Sequence, residues 1–382
     1  MVSPARAAAF EILGLVEGGG YASDLLFSRA ASLEARDAAL ASEIVMGALR
    51  FQLQLDFLIE HFSGRAAARL DPAVRIALRM AIYQIRYLSR VPAHAAVGES
   101  VELVKRARKR SAAPLVNAVL RKVNRGPVAW PDRAVALSHP AWLLERWDRQ
   151  YGRETAEKIA RANLAAPETF VRIPAGRAPE GLECEPTDVA GCYRVIAGRA
   201  EGLRIQDIGS QSVVPLLDLA PGQGFLDLCA APGNKTAQAL EAGVRAVACD
   251  IHLSRLVNMK GLGCPLVVLD GTRALPFRGC FDRILVDAPC SGTGTLGRNP
   301  EIKWRLAPGD LADLQRRQAA LLASARERLA PGARLVYATC SVEREENEDV
   351  VTASGLRVER TWRRLPGVDR GDGFFAAVIT SG

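Results

Sequence analysis

Apolar residues recur every three or four positions through the first 125 or so residues, the period of helices that bury one face. Phe10, Leu13 and Val16 mark a first helix, which Ser3 can cap, Pro4 can open and Gly18-Gly19-Gly20 ends. A long helical stretch follows from about residue 36 to 62, with Ile44, Leu55 and Leu58 on its apolar side. Asp71-Pro72 opens another helix that runs to about Leu88, and two more cover roughly 94–109 and 112–124. No strand pattern interrupts this series, so residues 1–126 predict an all-α domain. Three prolines, Pro127, Pro131 and Pro140, predict a linker over 127–140. Residues 141–165 are helical again, and short β-type runs at 170–173 and 192–196 sit between Gly/Pro-rich turns. Residues 141–211 therefore predict a small mixed α/β segment.

From 212 to 382 the period alternates. Strands are predicted at 225–229, 245–250, 266–270, 281–286 and 334–339, with helices at 235–242, 253–262 and 310–329 between them. The strands are nearly continuous apolar runs, which predicts an α/β domain with a Rossmann-like parallel sheet covered on both faces. Asp250, Asp270, Asp287 and Cys340 end or closely follow strands. Ligands of open α/β sheets bind outside those carboxyl ends.

Charge adds a partner to this outline. Residues 1–140 hold 19 Lys/Arg against 12 Asp/Glu, whereas the remaining 242 hold 31 against 30. A basic helical domain on a near-neutral α/β domain predicts an anionic partner for the first. Lys105, Arg106, Arg108, Lys109 and Arg110, with Arg121, Lys122 and Arg125, give eight cations and no acid over 105–125, a pattern suited to nucleic-acid phosphates. Arg298, Lys303 and Arg305 suggest RNA contacts beside the α/β site. By contrast, the acidic run Glu343–Asp349 predicts a solvated helix start.

The eight cysteines all lie in the second half without a C-x-x-C pair, and the four histidines are scattered, so neither a zinc site nor a disulfide framework is expected. No apolar run approaches the ~18 residues of a membrane span, and no signal-peptide pattern opens the chain. A cytoplasmic, monomeric protein is expected. Most of the thiols should be inert and buried.

Asp227-Leu228-Cys229-Ala230-Ala231-Pro232-Gly233-Asn234-Lys235-Thr236 joins a strand to a helix through a small-residue turn. Such a turn lets a ligand approach backbone, and the helix start offers unpaired N–H groups. Asp250, at the end of the next strand, can accept bonds from ribose hydroxyls. Asp287-Ala288-Pro289-Cys290-Ser291-Gly292-Thr293-Gly294 and Thr339-Cys340-Ser341 place two cysteines at the ends of different strands. A thiolate adding to C6 of cytosine would make C5 nucleophilic and leave after alkylation.

These three motifs, in this order, resemble the RNA 5-methylcytosine methyltransferases of the Sun/Nop2 family. Gln206-Asp207-x-x-Ser210-Gln211 and Asp372-Gly373-Phe374-Phe375 extend the likeness on either side. The stretches 37–56, 96–105 and 116–121 resemble the NusB-like RNA-binding domain, so the resemblance spans essentially the whole chain. It implies S-adenosylmethionine as cofactor and a specific cytosine of small-subunit ribosomal RNA as substrate. It assigns Cys229, Ala230, Ala231, Pro232, Gly233, Asn234 and Lys235 to the cofactor's methionine end. Asp250 would take its ribose and Asp270 the adenine, with Asp287 between cofactor and base. Cys340 would be the nucleophile and Cys290 would assist breakdown of the adduct. The family commonly has Gly where this chain has Asn234, a residue that tolerates left-handed backbone. Two alternatives stay open: Cys290 as the nucleophile, or an RNA-binding assembly factor whose methyltransferase domain is vestigial.

Overall fold

The computed structural model describes residues 2–174 and 179–381 and divides into two compact units. The predicted segment 141–211 includes 175–178, which lie outside the described residues.

One unit, Met1–Ala166 with Leu296–Arg305, is helical. Its helices are α1 (Pro4–Glu17), α2 (Ala22–Ala30), α3 (Ala35–Arg50), α4 (Gln52–Ser63), α5 (Pro72–Tyr87), α6 (Ala93–Arg106), α7 (Ala113–Lys122), α8 (Arg133–Leu137), α9 (Ala141–Tyr151) and α10 (Arg153–Ala162). Pro4 opens α1 as expected, but the Ser3 hydroxyl donates to Glu99 at 2.6 Å instead of capping. The single stretch predicted over 36–62 breaks at Phe51 (φ −99°, ψ 18°), whose ring packs against Tyr83 and Tyr87. Asp71 caps α5 through the Ala73 amide at 3.0 Å. Inside the predicted linker, Asp132 caps α8 by accepting from Val135 N at 2.8 Å. α9 and α10 belong to the helical unit, so the predicted α/β segment parts between Ala166 and Pro167.

The other unit comprises Pro167–Thr295 and Leu306–Gly382. Strands β1 (Phe170–Arg172), β2 (Glu183–Pro186), β3 (Cys192–Ala197) and β4 (Arg204–Ile205) form an antiparallel sheet in the order β2-β3-β1-β4. After α11 (Ile208–Val213) come β5 (Gly224–Asp227), α12 (Asn234–Leu240), β6 (Arg245–Asp250), α13 (Leu253–Leu256), β7 (Leu266–Val268) and β8 (Phe281–Asp287). The chain then gives 296–305, with α14 (Ile302–Arg305), to the helical unit. It continues through α15 (Asp310–Arg326), β9 (Leu329–Thr339), α16 (Glu348–Ala353), β10 (Val358–Arg364) and β11 (Phe374–Thr380).

The large sheet runs β10-β11-β9-β8-β5-β6-β7. Its β9-β8-β5-β6-β7 portion is parallel, whereas β11 pairs antiparallel with both β9 and β10, so the sheet is mixed. Phe225, Leu226, Ile284, Leu285, Val286, Val336, Tyr337 and Val378 are buried, as strands covered on both faces require. The central strands all present their carboxyl ends on one edge.

Candidate active site

The turn after β5 ends at Gly233, whose left-handed backbone (φ 98°) starts α12. The positive φ thus falls on Gly233, and Asn234 is already helical. Asn234 Oδ1 instead accepts from Arg204 at 3.1 Å, which ties α12 to β4. Opposite the turn, Asp250 Oδ2 accepts from Ala231 N at 3.2 Å and Oδ1 from His252 N at 2.9 Å. A buried carboxylate therefore pins the turn to the end of β6.

A cavity of about 500 Å³ opens at this edge, within the range of small-molecule sites. Leu228, Cys229, Ala231, Lys235, Asp250, Asp270, Asp287, Cys290 and Cys340 line it. Of the predicted cofactor residues, Ala230, Pro232, Gly233 and Asn234 build the turn without lining the cavity. Ile251, Arg255, Leu269, Arg317, Leu321 and Phe374 line it and were not singled out as site residues from sequence. Phe374 could have been, since it stands in the closing motif Asp372–Phe375.

Lys235 Nζ donates to Asp287 Oδ2 at 2.7 Å and lies 5.2 Å from the centre of the Phe374 ring. Burial pulls the Lys235 ammonium down, but the charge of Asp287 and their hydrogen bond outweigh it, and the net shift is upward. Asp270 accepts from Thr272 N and Oγ1, at 3.0 and 2.6 Å, and these bonds hold its carboxyl below the usual range. Asp227, at the end of β5, is buried; its Oδ2 accepts from Thr236 Oγ1 at 2.6 Å while Oδ1 has no partner among the described residues. Burial pushes its carboxyl up to about 7.

The sulfurs of Cys290 and Cys340 lie 3.4 Å apart, in hydrogen-bond contact. The bond to Cys340, and then burial, raise the Cys290 thiol well above its ordinary value. The loop approach is close: Gly294 N donates to Cys340 O at 2.9 Å and Gly373 N to Gly294 O at 2.7 Å. A Cβ on Gly294 would stand 2.2 Å from Gly373 O, so only glycine fits this crossing. Burial also raises Cys192, Cys229 and Cys264 and pushes Cys249 up to about 12, as inert thiols require. Cys280 departs from the expectation of burial, being exposed.

The acidic run is not a solvated helix start. Glu343, Glu346 and Asn347 are fully buried. Glu346 Oε1 accepts from Ser291 N at 2.8 Å and Gln318 Nε2 at 3.0 Å, and Oε2 accepts from the hydroxyls of Ser291 and Ser341.

The predicted RNA-contacting cations separate into two groups. Lys303 is 1% exposed; its Nζ donates to Arg50 O at 2.9 Å, and burial lowers its ammonium well below the ordinary value. It is a structural group of the helical unit and cannot reach a phosphate. Arg305 serves the end of α1, donating to Val16 O at 2.7 Å and to Gly20 O. Arg298 is half-buried. Lys105, Arg106, Arg108, Lys109 and Arg110 are exposed, although Lys105 pairs with Glu102 and Lys109 with Asp71. Among the described residues no three or more of His, Cys, Asp and Glu cluster as a metal site, and no helix is long and apolar enough to cross a membrane.

Comparison with known proteins agrees with this layout. The family model described as 16S rRNA methyltransferase RsmB/F matches residues 214–366, and the NusB family model matches 3–125. The ferredoxin-like domain of RsmF/B-like methyltransferases matches 139–178. Ribosomal RNA small subunit methyltransferase B of Salmonella arizonae is 33% identical, over 96% of this chain and 95% of its own. The protein of the same name from Klebsiella pneumoniae is also 33% identical, over 97% and 96%. The crystal structure of PH0851 shares the fold: its TM-score is 0.83 at 23% identity, covering 100% of this chain and 99% of that one.

Proposed function

This chain belongs to the RsmB/F family of 16S rRNA methyltransferases, and from that premise we propose that it methylates C5 of a cytosine in small-subunit ribosomal RNA through a transient bond between Cys340 and C6. The observation that carries the reading is the pair of sulfurs 3.4 Å apart, in one cavity with Asp250 and Asp287.

S-adenosylmethionine is the methyl donor of the family, and the residues around the cavity fit it. Each oxygen of Asp250 accepts a single backbone N–H, which leaves acceptor capacity for ribose hydroxyls. Ile251, 56% exposed at the lining, offers an apolar rest for the adenine. Asp270 stands beside it, and Cys229, Ala231 and Lys235 border the place of the methionine end. Bound there, the cofactor supplies an electrophilic methyl group.

The chain's own residues do the rest. A flipped cytosine enters with its ring held by the Asp287 carboxylate, itself oriented by Lys235. The Cys340 sulfur adds to C6, and the C5=C6 π electrons move to C5, which becomes the nucleophilic carbon. While both thiols are free, Cys290 stays protonated because Cys340 faces it. Once the Cys340 sulfur is bonded to carbon, the largest of the effects that hold the proton on Cys290 is gone; Cys290 gives that proton to water in the open cavity, and its thiolate takes the C5 proton after methyl transfer. The C5–H electrons then restore the double bond, the C6–S bond breaks, and Cys340 leaves as thiolate. Lys105, Arg106, Arg108, Lys109, Arg110 and Arg298 are assigned to RNA phosphates, and affinity for RNA is expected to come largely from the first five.

The test is a denaturing gel with labelled small-subunit rRNA and S-adenosylmethionine. Cys340→Ala should give no covalent complex, whereas Cys290→Ala should methylate once and remain bonded to RNA. A trapped complex from Cys340→Ala with none from Cys290→Ala would exchange the roles. Full turnover by Cys340→Ala would refute the adduct.

A further inference from the structure

Neither cysteine is held in place by its own strand alone. Cys290 sits three residues beyond the end of β8, and Cys340 follows β9 directly. A shift of an ångström in either loop would separate sulfurs that now touch at 3.4 Å. The two loops bond to each other through Gly294 N to Cys340 O at 2.9 Å and Val342 N to Thr293 Oγ1 at 3.1 Å, and the charged side chain that bonds the residues directly after both cysteines is Glu346.

We infer that Glu346 is the positioning residue of the thiol pair, a buried carboxylate that clamps the Cys290 loop to the Cys340 loop and without which adduct chemistry fails. Its grip on the first loop is through Ser291 N and the Ser291 hydroxyl, one residue beyond Cys290. On the second it holds the Ser341 hydroxyl, one residue beyond Cys340. Gln318 of α15 extends the clamp, donating to Glu346 Oε1 at 3.0 Å and to Pro289 O at 2.9 Å. The clamp is itself anchored: Tyr337 of β9 donates to Glu346 O at 2.6 Å, and Asn347 Nδ2 donates to Ser341 O at 3.0 Å. Four donors converge on the two oxygens of the Glu346 carboxylate in a site closed to water, and a buried carboxylate bonded in this way holds one geometry. Glu346 does not line the cavity, so it acts through the cysteines and touches no substrate. Its negative charge also helps keep Cys290 protonated, behind the larger effects of Cys340 and burial.

The inference rests on the proposed cysteine chemistry, and the experiment separates the two. Diamide oxidises two adjacent thiols to a disulfide and is itself reduced to the hydrazine; the rate of Cys290–Cys340 cross-linking in the full chain reads loop alignment without RNA. Glu346→Gln keeps the size of the side chain but replaces one acceptor oxygen with a donor. It should slow cross-linking at least tenfold and lower single-turnover methylation by a similar factor. Cofactor affinity should stay within twofold, and alkylation of the exposed Cys280 should be unchanged, neither of which general loosening would spare. Should Glu346→Gln not fold, the Ser291→Ala/Ser341→Ala double variant removes both hydroxyl donors and should slow cross-linking in the same way. Wild-type cross-linking in a folded variant overturns the assignment. Slowed cross-linking, in a protein whose wild type does not methylate cytosine, upholds Glu346 as the clamp and refutes the cytosine reading instead.

Discussion

Asp227 makes the stability of the α/β unit depend on pH in a direction opposite to that of most carboxylates. Its side chain is buried at the end of β5, one oxygen is bonded to Thr236 and the other has no partner among the described residues. Burial is the largest cause of its rise from 3.8 to about 7; the Thr236 bond lowers it and the nearby charge of Asp287 raises it. Below pH ~3.8 folded and unfolded chains both hold the proton, and nothing is lost. Between about 4 and 7 the unfolded chain releases it while the folded chain keeps it, so folding weakens as pH rises; above about 7 the full cost is present. A displacement of this size corresponds to an upper bound on the order of 4 kcal/mol. Asp227→Asn keeps an acceptor for Thr236 and cannot ionise. Native-state hydrogen exchange on the β5 amides should therefore show the variant gaining on wild type by roughly 2–4 kcal/mol between pH 4.5 and 8. Other titrating groups cancel in that difference. A difference that is flat with pH, or one that falls, would refute the argument that burial dominates at this carboxylate.

Two further outcomes follow from the site and from the helical unit. Asp250→Ala leaves Ala231 N and His252 N without their acceptor and should weaken S-adenosylmethionine binding by roughly 1–3 kcal/mol. Calorimetry giving wild-type affinity in a folded variant would remove Asp250 from the cofactor site. Arg106, Arg108 and Arg110 are exposed and form no ion pair among the described residues, whereas Lys105 and Lys109 are engaged with acids. Neutralising those three arginines should reduce the log–log salt slope of RNA binding by roughly 0.7–0.9 for each phosphate they no longer neutralise. Lys303→Met should leave the slope unchanged, and filter binding that gives the reverse order would return the role to Lys303.

What could be read from sequence was whatever short-range pattern decides. Strong periodicity placed α1, α5, β6 and β8 to within a residue or two, because each buries a continuous stripe or a whole strand. Weak stripes were missed: α2 buries little beyond Ala22, Leu26 and Ala30 and leaves Phe27 86% exposed, and α8 is too short to show a period. The two-residue strand β4 is set by its pairing with β1 and carries no pattern of its own. The strand-end acids and cysteines were legible because the motifs are local and the sheet brings its carboxyl ends to one edge. Charge misled wherever its partner was remote. Lys303 reads as a phosphate ligand by composition, yet its acceptor is the carbonyl of Arg50, 253 residues away, and the site is dry. Glu346 stands in a run with five acidic residues in seven, which any local rule assigns to solvent. Its hydroxyl and amide donors come from Ser291, 55 residues earlier, and Gln318, 28 residues earlier. A buried carboxylate becomes tolerable only when such donors are already in place. The same remoteness lets it join two loops that carry one reaction, since a residue whose bonds were all local could hold only one of them.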